Sequence, residues 1–210
     1  MATTTVNGRV CLNPAYDVKQ NDIVFYDGRR LRIIEEKKVI MLHKPKNVIT
    51  TVKDTHGRKT VMDFINYKIR LCPIGRLDKN TTGLLLFTND GKLQNYLTHP
   101  SNNIPKDYEV VIEGNFEDRN IKKLKRGIYI GENEYGKAEV INKRIDKGRT
   151  NLSLRLRHGK KREIRRILFR LNKKLISLKR ISFSNVKLGS LKEGKSRELS
   201  MEEIKLLYKK

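Results

Sequence analysis

The sequence predicts an α+β fold built on a mixed, mostly antiparallel sheet flanked by helices. Three observations carry the prediction. Short strand-like segments far outnumber helical ones. Asn7-Gly8 and Asp27-Gly28 separate apolar runs in the manner of hairpin turns. No self-similarity at a period of roughly 20–50 residues marks a repeat architecture. The natural division is residues 1–37 and residues 38–210.

Taken in order, residues 5–34 alternate short apolar runs (Val10 to Leu12, Ile23 to Tyr26) with turn signals. Glu35-Glu36-Lys37-Lys38 is a charge cluster and reads as a solvated linker. Val39 to Leu42 is a buried strand leading into Lys44-Pro45, where proline ends the pairing because it has no N–H. A Thr-, Lys- and Gly-rich loop follows, and Val61 to Tyr67 supports a short helix at most. Leu84 to Thr88 is too short for a buried helix and is closed by Asn89-Asp90-Gly91, so it reads as a core strand ending in a turn. Asp90 caps a helix from Lys92 to Leu97, with Leu93, Tyr96 and Leu97 on one face. Tyr108 to Glu113 is a strand, Phe116 to Lys125 a helix with Ile121 and Leu124 inward, and Gly127 to Ile141 a hairpin.

Asn151 to Arg157 alternates strictly, with Leu152, Leu154 and Leu156 facing one way and Ser153, Arg155 and Arg157 the other. Lys161 to Leu171 then switches to helical period. Ile164, Ile167, Leu168 and Leu171 face the core, and Arg162, Arg165, Arg166 and Arg170 lie on the far side. Phe169 falls near that basic side and reads as packing. Met201 to Tyr208 is an amphipathic helix with Ile204 and Leu207 inward.

Of the 210 residues, 37% are hydrophobic and 33% charged, a polar balance that still permits a core. The formal net charge is +24, and self-repulsion on that scale is usually offset by a polyanionic partner. Nucleic acid fits better than membrane, because no apolar run approaches ~18 residues and no basic amphipathic helix carries an exposed aromatic face. Residues 151–180 hold twelve Lys or Arg against the single acid Glu163. A strand and a helix sharing a basic side there point to nucleic-acid contact through Arg155, Arg157, Lys160, Arg162, Arg166 and Arg170. Cys11 and Cys72 match no zinc or redox spacing, so reduced thiols in a cytoplasmic compartment, bacterial-type or organellar, are the expectation. The four histidines have no metal-ligand spacing, and no metal is expected.

The polar loop before Leu84 is the richest stretch. Gly75 and Gly83 bracket it, and Arg76, Asp78 and Lys79 crowd three charges into four positions. On spacing alone, Asp78 could be a structural ion-pair partner or a reactive carboxylate. Gly75-Arg76-Leu77-Asp78 followed by Thr81-Thr82-Gly83-Leu84-Leu85 resembles the signature of the RsuA-type RNA pseudouridine synthases. Lys44-Pro45, Lys106-Asp107-Tyr108-Glu109-Val110 and Arg162-Glu163-Ile164-Arg165-Arg166 flank it in the same order, so the resemblance spans roughly residues 39–207.

The resemblance implies the pseudouridine synthase fold and a cofactor-free isomerisation of uridine in ribosomal RNA. It makes Asp78 the nucleophile, Arg165 the cation paired with it, and Tyr108 the ring that packs on the uracil and takes the C5 proton. By the same resemblance Arg76 fills the space left by the flipped base or holds the backbone, and Lys44 touches phosphate or supports the loop. Leu84 to Gly91 and Arg162-Glu163 are nearest to members acting on large-subunit RNA, with a small-subunit enzyme as the alternative. The expected enzyme is monomeric and acts on RNA that is free or in an early assembly intermediate. Residues 5–34 resemble the C-terminal half of an S4-type RNA-binding module, whose two opening helices have no counterpart before Thr3. A late chain start and a degenerate module both fit that pattern. A non-catalytic RNA-binding assembly factor is the rival class, and the trio Asp78, Tyr108 and Arg165 argues against it. A deaminase or methyltransferase fails for want of a His/Cys zinc constellation or a Gly-rich nucleotide loop.

Overall fold

A computed structural model describes residues 3–19, 21–31 and 36–209, and the chain separates into two compact units, residues 1–37 and 38–210. Glu35, at the head of the expected linker, lies outside the described residues. The first unit is a four-stranded antiparallel sheet of β1 (Thr4–Val6), β2 (Arg9–Val10), β3 (Val24–Tyr26) and β4 (Arg29–Leu31), in the order β2-β1-β3-β4. Both hairpin turns fall on the expected pairs. Asn7 and Asp27 have φ near +50° and the glycines after them +78° and +72°, the two left-handed residues that a tight hairpin turn requires. Among its described residues only Val6 is buried, so side-chain hydrogen bonds take over part of the work of a core. The Asn7 amide donates to Asp22 at 2.8 Å and its oxygen accepts from the Ile23 N–H at 2.9 Å.

The second unit is built on a nine-stranded sheet. Its strands are β5 (Val39–Lys44), β6 (Cys72–Ile74), β7 (Thr82–Thr88), β8 (Lys106–Glu113), β11 (Glu139–Asp146), β12 (Arg149–Leu156), β13 (Leu175–Phe183), β14 (Val186–Lys187) and β15 (Ser196–Glu198). The path runs β11-β12-β8-β13-β7-β5-β15, with β14 beside β13 and β6 beside β7. Every strand pair is antiparallel except β7 with β13. A separate hairpin is formed by β9 (Ile128–Gly131) and β10 (Glu134–Gly136). The helices are α1 (Gly91–Thr98), α2 (Asp118–Arg126), α3 (Glu163–Arg170) and α4 (Met201–Tyr208), and a 3-10 turn covers Val61–Phe64.

β5 and β7 are buried on both faces, which explains their unbroken apolar runs. On one side Met41, Leu84 and Leu86 meet Leu93 and Leu97 of α1 and Leu207 of α4. On the other, Ile40, Leu42, Leu85 and Phe87 meet Val48, Val61 and Leu77. The β8–β12 half buries Val110, Ile112, Leu152 and Leu154 against α3 through Ile164, Ile167 and Leu168, and against α2 through Leu124. Each such side chain contributes roughly 1.5–3 kcal/mol by leaving water. Asp90 caps α1, accepting from the Lys92 and Leu93 N–H groups. Ser200 and Glu203 form a reciprocal cap on α4.

Several expectations need correction. The hairpin closes at Gly136, and Ile141 belongs to β11, an exposed edge strand that the sequence pattern did not announce. β13, a central strand, was likewise unannounced. Leu171 is only half-buried, because α3 ends at Arg170. Phe169, expected to pack, is 76% exposed. Lys38, placed in a solvated linker, pairs with Glu198 at 3.2 Å.

Candidate active site

The loop between β6 and β7 carries Asp78, and the chain clamps it from four sides. The Asp78 carbonyl closes a turn by accepting from the Thr81 N–H at 3.0 Å, and the Lys79 carbonyl accepts from the Asn47 N–H at 2.9 Å. The Thr50 hydroxyl donates to the Leu77 carbonyl at 2.8 Å. The Lys44 ammonium donates to the carbonyls of Pro45, Lys79 and Thr81 at 2.9, 3.3 and 2.9 Å. Lys44 is fully buried, which fits the second of its two expected roles, support of the loop, and not a phosphate contact. The ammonium replaces water for three carbonyls, and burial pulls its pKa down to about 8.

β7 fixes the far end of the loop. Gly83 has φ +108°, and a Cβ there would stand 2.2 Å from the Arg180 carbonyl oxygen, so only glycine lets β7 and β13 approach. The register then lines up Gly83, Arg180, Tyr108 and Leu154 as neighbours across four strands. Tyr108 therefore sits at the level of the loop that carries Asp78.

From the other side comes α3. Arg162 precedes it in a left-handed conformation, φ +54°, and its Nη1 lies 3.6 Å from Asp78 Oδ2. Arg165 Nε lies 3.3 Å from the same oxygen. The Nε–H is buried and makes no hydrogen bond, so the contact is an ion pair without aligned geometry. Its Nη2 donates to the Asn80 carbonyl at 3.0 Å and the Thr81 hydroxyl at 3.1 Å. Burial lowers the Arg165 pKa and the Asp78 carboxylate opposes that shift. Arg165 thus ties the helix to the loop and places positive charge on the carboxylate at once.

A hollow of about 80 Å³ is lined by Arg76, Asp78, Tyr108, Arg162, Arg165 and Leu178. Asp78, with its side chain one-third exposed, is accessible there. Lys160 lines the same hollow, and its ammonium donates to the Tyr135 carbonyl at 2.6 Å. The structure thus brings together Arg76, Asp78, Tyr108, Lys160, Arg162 and Arg165.

The other predicted cations divide. Arg166 is turned away: it donates to the Ile130 and Gly131 carbonyls at 2.9 and 2.8 Å and to Glu134 at 2.6 Å. It staples α3 to the β9–β10 hairpin, so its expected role as an RNA contact is a misassignment. Arg155 makes a two-pronged bond to Asp107, 2.8 Å on each arm. With Arg157, Lys125 and Lys137 it lines a separate groove of about 570 Å³. Arg170 is exposed, its guanidinium 5.7 Å from the Tyr129 ring centre. Four arginines of one helical period therefore serve three different ends.

Glu163, the lone acid of the basic stretch, is buried and accepts from the Lys137 and Lys160 N–H groups, both at 3.3 Å. Burial pushes its carboxyl up. Sequence reasoning gave no role to Lys106 or Arg180, although the first stands in the Lys106-Asp107-Tyr108 motif. No cluster of three or more potential metal ligands exists among the described residues.

Residues 38–169 match the family model described as RNA pseudouridylate synthase. The chain belongs to the RNA pseudouridylate synthase family. It is 36% identical over 205 residues to the ribosomal large subunit pseudouridine synthase B of Bacillus subtilis, covering 96% of this chain and 84% of that one. It is also 36% identical to an uncharacterised RNA pseudouridine synthase of Aquifex aeolicus, covering 97% and 83%. A crystal structure of a pseudouridylate synthase superposes with a TM-score of 0.75 at 28% identity, covering 98% of this chain and 88% of that one. The RsuA-type resemblance and the pseudouridine synthase fold are thereby borne out, and the chain is an RNA pseudouridine synthase.

Proposed function

We propose that this synthase converts one uridine of large-subunit ribosomal RNA to pseudouridine, with Asp78 as nucleophile. The observation that carries the reading is an accessible carboxylate on a clamped loop, with two guanidinium groups within 3.6 Å and Tyr108 lining the same hollow. The Bacillus subtilis relative's action on the large subunit supports the choice of RNA.

In the isomerisation the N1–C1′ bond breaks, C5–C1′ forms, the C5 proton leaves and N1 gains one, so composition is conserved. Reaching the reacting carbons requires the nucleotide to leave its stack, at a few kcal/mol in paired RNA and less in a loop. Asp78 attacks C1′ of the extruded nucleotide as N1 leaves and is displaced when C5 bonds to C1′, while Arg165 and Arg162 set positive charge beside the carboxylate. Tyr108 packs on the uracil, as an aromatic face suits any pyrimidine, and takes the C5 proton. Arg76, exposed at the mouth, occupies the vacated stack or the backbone beside it. The enzyme acts as a monomer on RNA still free of most ribosomal proteins, since so basic a chain needs exposed phosphates. Residues 1–37 serve as a partial S4-like RNA-binding segment.

The test is tritium release from C5 of uridine in transcribed ribosomal RNA, together with pseudouridine maps of cells with and without the gene. Asp78→Asn should abolish release while RNA affinity stays within several-fold, because phosphate contacts supply most of the affinity. Turnover by Asp78→Asn would refute the nucleophile. Loss of only a small-subunit or transfer-RNA site would refute the choice of RNA.

A further inference from the structure

Beside the Asp78 hollow lies a larger one of about 450 Å³, lined by Gly75, Arg76, His99, Lys106, Tyr108 and Arg180. We propose that it is a phosphate site, which receives a phosphodiester of the RNA strand next to the target nucleotide, with Lys106 making the contact and Arg180 supplying a second charge beneath. The inference rests on RNA being the substrate and not on which RNA or on the role of Asp78.

The fold buries one cation, Arg180, and half-buries a second, Lys106, without an anion beside them. Arg180 is 2% exposed. Its Nε donates to the Leu84 carbonyl at 2.7 Å, while its Nη2 is buried with no acceptor. Lys106 is half-buried and donates to the Ile104 carbonyl at 2.9 Å. The two share one aromatic ring: the Lys106 ammonium lies 5.1 Å and the Arg180 guanidinium 5.0 Å from the centre of Phe183. Neither makes an ion pair among the described residues. Burial first, and the Arg180 charge second, hold the Lys106 pKa down to about 8.

A buried cation normally has a carboxylate partner, because taking an unpaired charge out of water is strongly unfavourable. Two adjacent ones add mutual repulsion. The arrangement is therefore poor as a structural device, and an anion in the hollow would turn both penalties into attraction. Arg157 and Lys160 also line it and Glu134 is its one acid, already held by Arg166 at 2.6 Å. The incoming anion thus meets cations on floor and rim. On an RNA substrate the charge available to fill such a site is a phosphodiester, since the bases are neutral. The hollow shares Arg76 and Tyr108 with the Asp78 hollow, which places the phosphate beside the extruded nucleotide.

The test uses the full chain and a ten-nucleotide single-stranded RNA. Lysines are acetylated at pH 8 and the rate at each is read by mass spectrometry. Saturating RNA should slow Lys106 at least fivefold while Lys205, exposed on α4, keeps its rate. In parallel, Lys106→Met should lower the slope of log affinity against log salt by about 0.7, one phosphate on a single strand, and Lys205→Met should leave it unchanged. An unchanged Lys106 rate overturns the proposal. Protection without loss of slope overturns it too, since the RNA would then only cover the hollow. Neither readout depends on pseudouridine formation, so an active Asp78→Asn would leave this result standing.

Discussion

Lys44→Met keeps the length of the side chain and removes the ammonium that holds the Asp78 loop. Three carbonyls lose a charged donor, at roughly 1.5 kcal/mol each, and relief from burying the charge returns part of that sum. A net loss of about 2–4 kcal/mol is expected. The pH dependence has a definite sign. The folded pKa is about 8 against an ordinary 10.5, so between those values the unfolded chain binds more protons and wild-type stability rises with pH. Lys106 adds a slope of the same sign. Lys44→Met removes the Lys44 share, so its deficit should widen from pH 7.5 to pH 10. Urea denaturation at both values measures this, with RNA affinity against salt as the companion assay. Stability within about 0.5 kcal/mol of wild type, with the salt slope reduced by about 0.7, would show Lys44 to be a phosphate contact and refute the clamp.

Other substitutions separate the remaining roles. Arg165→Ala should cut the single-turnover rate by more than tenfold while affinity changes little, because the carboxylate loses its nearest cation and the loop one of its ties; a variant that loses only affinity contradicts this. Gly83→Ala forces a Cβ toward the Arg180 carbonyl and should cost about 3 kcal/mol or more, read as a fall in Tm with loss of activity; a folded, active variant would contradict the close approach of β7 and β13. Arg170→Ala should lower the salt slope of RNA binding by about 0.7–0.9 and leave the rate at saturating RNA unchanged; an unchanged slope removes Arg170 from the RNA surface.

Elements with one dominant local signal were legible in the sequence. β5 and β7 are unbroken apolar runs, α1 begins at an Asp cap, and β12 alternates cleanly. β13 was hidden because Lys179 and Arg180 break its apolar pattern and two register shifts, at Leu175/Ser177 and Arg180/Ser182, break its alternation. β11 lies at the sheet edge with few inward residues, so its sequence looks like a loop. The positions of Asp78, Tyr108 and Arg165 came through because a long motif carries them. The fates of Lys44, Arg166 and Arg180 did not, since each is decided by which backbone carbonyls another segment brings within reach. A basic residue declares its charge in the sequence but not its address.

The order of the sheet also governs how the enzyme is made. β7 and β8 are consecutive strands in the sequence, yet β13 lies between them. Until residue 183 has been synthesised, the edge of β8 away from β12 and the Thr82–Gly83 end of β7, beyond the stretch that β6 covers, have no strand partner, and open edges of this kind invite pairing with other chains. Closing the gap joins Gly83 to Arg180 across nearly half the chain, a contact of high sequence separation that slows folding. The row that sets Tyr108 beside Arg180 appears only with that insertion. A nascent chain stalled before β13 would thus carry the signature loop of a synthase without a site, and would depend on chaperones while it waited.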